Sequence, residues 1–179
     1  MTRDDVVVRD LEATDLAWAE AVLEADLDGR RQARRGELVD VLVLPGLVAE
    51  LDRERIGLLL FDPDDGHGEA ELAALATPQR GAGGGTALVE ALVERLPDRP
   101  VWVVTTNDNI DALRFYQRLG FCIRAVRIGA VDEARRLLKP SIGTYGAHGI
   151  PLRDELELVR LPDPQTTPDA RSRSTSSGA

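Results

Sequence analysis

Arg80 to Thr86, RGAGGGT, sets one arginine and four glycines at the start of a helical pattern. Apolar residues recur at Leu88, Ala91, Leu92 and Leu96 until Pro97 stops the run. The first turn of a helix leaves backbone N–H groups unpaired and carries a partial positive charge. Glycines let the backbone approach a bulky anion, and Arg80 adds a forked cation suited to phosphate. These residues can cradle a pyrophosphate; the alternative is a flexible loop with no ligand. Spacing excludes a Walker A loop, because Thr86 follows Gly85 with no lysine between and the chain's single lysine is Lys139. A Rossmann fingerprint counted from Gly81 places Thr86 at the third glycine position, a poor fit that disfavours a nicotinamide oxidoreductase.

Acid–base chemistry has fewer candidates. Glu69 and Glu71 fall on one face of a strand that runs into the glycine loop, and by default they are a solvent-facing strand end. Tyr116 lies on the apolar stripe of a later helix, so its default is a core tyrosine with a satisfied hydroxyl. Asn109 is placed to cap that helix. His67, His148 and Tyr145 read as loop residues, and Cys122 as a small core residue inside a strand. DPDDGHG, residues 62–68, lacks the EF-hand spacing and its closing glutamate, so it reads as a solvated turn. No metal site is expected.

The elements that must position these residues follow from periodicity. Val6 to Arg9 reads as a first strand, and Asp15 to Leu27 as a helix capped by Thr14, with Leu16, Ala19, Leu23 and Leu27 inward. Arg30 to Arg35 reads as a solvated basic helix end or loop, the alternative being the lining of a ligand entrance, and Glu37 to Leu44 is ambiguous between strand and short helix. Leu47–Leu51 and Ile56–Phe61 read as a hairpin, and Glu69–Ala76 as the strand before the glycine loop. Val101 to Thr105 is a buried strand, Asn109 to Leu119 a helix ended by Gly120, and Phe121 to Val126 a further strand. A short helix over Val131–Leu138 and a loop over 139–151 precede a last strand, Asp154 to Leu161, with one wet face. From Pro162 the chain is rich in Pro, Ser and Thr and reads as a disordered tail.

Composition bounds the function. A chain of 179 residues suits one domain. One cysteine excludes an internal disulfide and a cysteine zinc cage. Charges in the first ten residues argue against a secretory signal, no apolar run is long enough to span a membrane, and a cytoplasmic location is expected. A net charge of −9 argues against a nucleic-acid-binding face and is compatible with steering a cationic substrate, or simply with solubility.

Two blocks together resemble the GNAT superfamily of acetyl-CoA-dependent N-acetyltransferases. Arg80 to Gly85 fits its Arg/Gln-x-x-Gly-x-Gly/Ala pattern. Asn109 to Phe121, NIDALRFYQRLGF, fits its Asn-x-x-Ala-x-x-Phe-Tyr-x-x-x-Gly-Phe pattern at every fixed position. The resemblance is best over Glu69 to Val126. It implies an α/β (α+β) fold with a mixed, mostly antiparallel sheet, helices on both faces, and splayed parallel fourth and fifth strands that hold the pantetheine arm. Backbone groups near Leu75, Ala76 and Thr77 would bind that arm. Arg80, Gly81, Ala82, Gly83, Gly84, Gly85 and Thr86 would hold the pyrophosphate, with Asn109 and Tyr116 beside the cofactor.

By the same resemblance, acetyl-CoA is a cosubstrate and an amine attacks its thioester directly. Tyr116 would protonate the leaving thiolate, and Glu71 is the expected base. A backbone N–H near Leu75 would stabilise the oxyanion. The family reading makes residues 1–161 one acetyltransferase domain followed by the tail, acting as a monomer or homodimer without nucleic acid or membrane. The rival is a GNAT-like module that binds acyl-CoA without turnover.

Overall fold

A computed structural model describes residues 5–163. The tail expected from Pro162 therefore lies, from residue 164 on, outside the described residues. The chain opens with β1 (Val7–Asp10), a 3₁₀ turn over Ala13–Asp15 and α1 (Leu16–Leu27). A hairpin of β2 (Arg31–Arg34) and β3 (Glu37–Asp40) follows, then β4 (Gly46–Leu51), β5 (Glu54–Asp62) and β6 (Ala70–Ala76). The second half runs α2 (Gly84–Arg95), β7 (Val101–Thr106), α3 (Ile110–Arg118), β8 (Cys122–Arg127), α4 (Ala130–Leu137) and β9 (Glu155–Arg160).

Seven strands form one sheet in the order β1-β4-β5-β6-β7-β9-β8, and β2-β3 stand apart as a two-stranded ribbon. The mixed, mostly antiparallel sheet implied by the resemblance is therefore present: β6 and β7 are its parallel pair. They pair only through Ala70↔Val101 and Glu71↔Trp102, then diverge. Beyond Glu71, β6 also holds an extra residue: Leu60 faces Ala74 and Phe61 faces Leu72, which leaves Ala73 without a partner across the ladder. A bulge of this kind bends a strand away from its neighbours. β7 keeps its other edge paired with β9 along six residues, so the gap opens on the β6 side alone.

Apolar side chains fill both faces. Leu88, Val89 and Leu92 of α2, with Tyr116 of α3, pack on Leu47, Leu59, Leu72, Val101, Val103 and Leu158. Ala19 and Leu23 of α1 pack on Leu58, Leu60 and Ala74 from the other side. Fully burying an aliphatic side chain of this size is worth about 1.5–3 kcal/mol, which fixes α2 and α3 against the sheet and hence the loops at their N-termini.

Four expectations need correction. The helix start is not a Thr14 cap: the Glu12 N–H donates to the Asp15 carboxylate at 2.9 Å. Asp15 is buried and ion-paired to Arg9, tying β1 to the turn before α1. Arg31–Arg34 form a strand rather than a loop, because they pair in antiparallel register with Glu37–Asp40, and Arg34 finds Glu71 as its counter-ion. The wet face expected of the last strand does not exist: Glu155 and Glu157 are buried, covered by the Arg35 N–H and by the Arg35, Arg124 and Arg127 side chains. Cys122 is exposed rather than core, since β8 is the edge of the sheet. Glu37–Leu44, ambiguous by pattern, is both: a strand, then a 3₁₀ turn over Val41–Val43. Among the described residues no helix is long and apolar enough to cross a membrane.

Candidate functional site

The glycine loop and the β6–β7 gap open into one cleft of about 1010 Å³. Gly81 and Gly83 adopt φ of 84° and 86°, a left-handed conformation that favours glycine, and turn the chain into α2 at Gly84. No side chain caps α2, so its first N–H groups are left for a ligand. Thr77, Arg80, Gly81 and Gly83 to Thr86 line this end, with Arg80 exposed at the rim. Ala82 does not line the cleft; it packs against the core under α2. Leu75 and Ala76 of β6 lie along the gap across from Val103 to Thr106 of β7.

Asn109 and Tyr116 enter the same cleft from α3. Asn109 caps the helix, its Oδ1 accepting from the Ala112 N–H at 3.1 Å. Tyr116 is 6% exposed and wedged between Phe115 and Phe121, with ring centroids 5.2 and 5.4 Å away. Burial pushes its hydroxyl above the ordinary phenol range, so it stays protonated at any physiological pH.

The far end of the cleft is lined by the end of α1, by β2, by α4 and the loop after it, and by Glu155. Glu71 is not part of that lining. Both of its carboxylate oxygens are held by the Arg34 guanidinium, through Nε and Nη2. Glu69 is likewise taken, by Arg124 at 2.8 Å. Arginines from the segment expected to be solvated, with Arg124 and Arg127 of β8, thus form a network over buried carboxylates. Arg35 stacks 4.5 Å from the Trp102 ring and reaches Glu157 at 3.4 Å, while Arg124 and Arg127 each meet Glu157 at 2.6 Å. Burial would raise the Glu157 pKa, but the hydrogen bonds from Arg127 and Arg124 outweigh it and hold the carboxyl below its ordinary range.

Side chains that the pattern did not single out shape this end. Lys139 Nζ donates to the Asp28 and Arg31 carbonyls at 2.6 and 3.0 Å, closing the loop after α4 onto the hairpin. Buried Asp108 accepts from the Ala147 N–H at 2.7 Å, and a Cβ on Gly146 would lie 2.0 Å from its Oδ2. Asn107 accepts from the Arg153 and Asp154 N–H groups at 3.0 Å. Together these residues dock the 139–154 segment. Their signal was TTNDN itself, whose Asn and Asp suit turns that bind backbone. His148 and Tyr145 do not line the cleft, and neither does His67.

Comparison with known proteins agrees with this architecture. The Acetyltransferase (GNAT) family model matches residues 11–121. Uncharacterized protein YxbD of Bacillus subtilis (strain 168) is 37% identical over 114 residues, spanning 61% of this chain and 69% of that protein. An IAA acetyltransferase from Bacillus cereus ATCC 14579 superposes with a TM-score of 0.68 at 19% identity, over 87% of this chain and 98% of its own. A GNAT family acetyltransferase from Elizabethkingia anophelis with acetyl-CoA bound gives 0.67 at 19% identity, over 88% and 99%. With the family match spanning more than half its length, the chain belongs to the GNAT family of acetyltransferases and is an acyltransferase that moves an acetyl group.

Proposed function

We propose that this protein transfers the acetyl group of acetyl-CoA to a primary amine of a small molecule or protein by direct attack. The carrying observation is one continuous cleft: it runs from the uncapped start of α2, through the β6–β7 gap past Tyr116, to an end lined by charged side chains. In this reading Arg80 and the N–H groups of Gly81 and Gly83 to Thr86 hold the pyrophosphate. Backbone groups at Leu75, Ala76 and Thr77 hold the pantetheine, and Asn109 borders it. The acetyl-CoA bound in the Elizabethkingia anophelis structure supports that assignment. A backbone N–H near Leu75 supplies the oxyanion donor. One domain over residues 1–161 carries the reaction in the cytoplasm, as a monomer or homodimer.

Tyr116 is the proton donor to the leaving thiolate, a role that its buried, protonated hydroxyl on the cleft wall suits. Glu71 acts by positioning Arg34 and the hairpin rather than by touching the amine.

Thermal-shift titration with acetyl-CoA, CoA and NADH tests the cradle. At about a hundred times its dissociation constant a ligand adds ~2.7 kcal/mol, or roughly 5–10 °C for a domain of this size. A shift with either CoA form but not NADH is expected; no shift with CoA overturns the assignment. Thiol release with an amine panel then measures turnover. Tyr116→Phe should lower kcat by about 10²-fold with CoA affinity unchanged. A full rate in that variant removes Tyr116 from the protonation step.

A further inference from the structure

On the charged face of the sheet almost every acid is already neutralised by an arginine. Arg34 holds both oxygens of Glu71. Arg124 and Arg127 hold Glu157, and Arg124 also holds Glu69. Glu155 differs. It is 3% exposed, faces Thr106 across the β7–β9 ladder and lines the cleft. Its carboxylate takes one hydrogen bond among the described residues, from the Arg35 backbone N–H to Oε2 at 3.1 Å, and no salt bridge. A buried carboxylate with a free oxygen on a cleft wall is available to receive a proton; one clamped by a guanidinium is not.

We propose that the Glu155 carboxylate is the proton acceptor for the amine substrate. The proposal rests on the amine-transfer reading above. The ammonium gives one proton to Glu155, and the freed nitrogen lone pair attacks the thioester carbon. The C–N bond forms as the carbonyl electron pair moves to oxygen. The oxyanion collapses, the C–S bond breaks with its electron pair on sulfur, and Tyr116 protonates the thiolate. The second nitrogen proton returns to Tyr116, and the proton on Glu155 leaves to solvent, so the net release is one proton.

Electrostatics suits the role. Burial raises the Glu155 pKa above the ordinary glutamate range; the Arg35 N–H and the charges of Arg127 and Arg34 oppose the rise, and Glu157 adds to it. These face it from the hairpin, from β8 and from β9 itself, while Asp26, Asp28 and Lys139 line the same cleft. A raised pKa brings the carboxylate nearer that of the ammonium it must deprotonate.

The test is kcat/KM against pH, at saturating acetyl-CoA, for wild type, Glu155→Gln, Glu155→Asp and Glu71→Gln. The acceptor is whichever of spermidine, kanamycin and an alanine-terminated peptide is turned over fastest, with CoA affinity measured by calorimetry. Glu155→Gln should lose about 10²–10³-fold near neutrality, and its acid limb should vanish. CoA affinity should stay within about threefold, showing an intact fold, and Glu155→Asp should regain part of the rate. Glu71→Gln should keep the acid limb. A Gln variant within about threefold of wild type, or one losing rate equally at every pH with the limb intact, overturns the proposal alone. Wild type that binds acetyl-CoA but acetylates none of the three amines overturns the amine-transfer reading and this proposal with it.

Discussion

The two ends of the cleft are built from different materials. At the glycine loop the binding groups are backbone N–H donors from residues adjacent in sequence, set by left-handed glycines and the start of α2. At the far end each contact depends on a charged side chain meeting a distant part of the chain: Arg34 with Glu71, Glu155 with the Arg35 backbone N–H, and Lys139 with the Asp28 carbonyl. Backbone geometry is indifferent to pH and salt, whereas ion-paired carboxylates are not. The cofactor end should therefore be robust and generic, and the acceptor end conditional and particular.

The strongest way to break that contrast is Glu71→Ala. It leaves the Arg34 guanidinium, whose Nη1 already has no hydrogen-bond partner, buried without its counter-ion. Removing one member of a buried pair costs about 3–5 kcal/mol, or roughly 10 °C in melting temperature for a chain of this length. Coenzyme A should still bind what remains folded with near-native affinity, measured by calorimetry below the transition. A lost affinity with an unchanged melting temperature would show that the two ends are not separable.

Acid sharpens it. The folded pKa of Glu157 is depressed, so its contribution is present above the unfolded value of about 4.3 and is lost as pH falls through the lower folded value. Glu155 has the opposite sign: its raised pKa gives stability below the usual value that is lost as pH rises. Below pH ~4.3 the Glu157 term dominates the change, because Glu155 is already protonated there. Amide protection factors, corrected for the intrinsic pH dependence of exchange, should fall first in β2, β3 and β9 as pH drops, by about tenfold for each ~1.4 kcal/mol lost, while α2 stays protected. Equal loosening of α2 would mean that the sheet, not the ion pairs, is giving way.

The same contrast explains what the sequence made legible. The loop, α2, β7 and α3 are contiguous, so glycine chemistry, apolar periodicity and one motif place Gly81 to Thr86, Asn109 and Tyr116 on a single cleft. Alternation in β9 correctly marked a strand but assigned Glu155 and Glu157 to water, because strand pattern alone does not tell whether a distant segment covers that face. Arg30 to Arg35 looked solvated for a related reason. Their partners Asp40, Glu71 and Glu157 lie across a hairpin or on strands far along the chain, and no local rule connects them. Glu71 was visible as a carboxylate on the right strand; that an arginine closes over it was not.

The smallest effect belongs to the cofactor end. Gly81 sits at φ 84° with nothing within 4 Å of where a Cβ would be, so Gly81→Ala adds backbone strain and no clash. Holding an alanine in the left-handed region costs about 1–2 kcal/mol. The loop can relieve that strain by shifting, since it carries no buried side chain at this point, but the N–H groups at the start of α2 then leave their positions. The strain should therefore surface as a CoA affinity about five- to tenfold weaker, with melting temperature in the absence of ligand lowered by only a few degrees. Calorimetry and thermal melts on the same sample separate the two. A variant that melts as early as Glu71→Ala would mean that the glycine loop is part of the structural frame, and the division between a backbone-built and a side-chain-built end would fall.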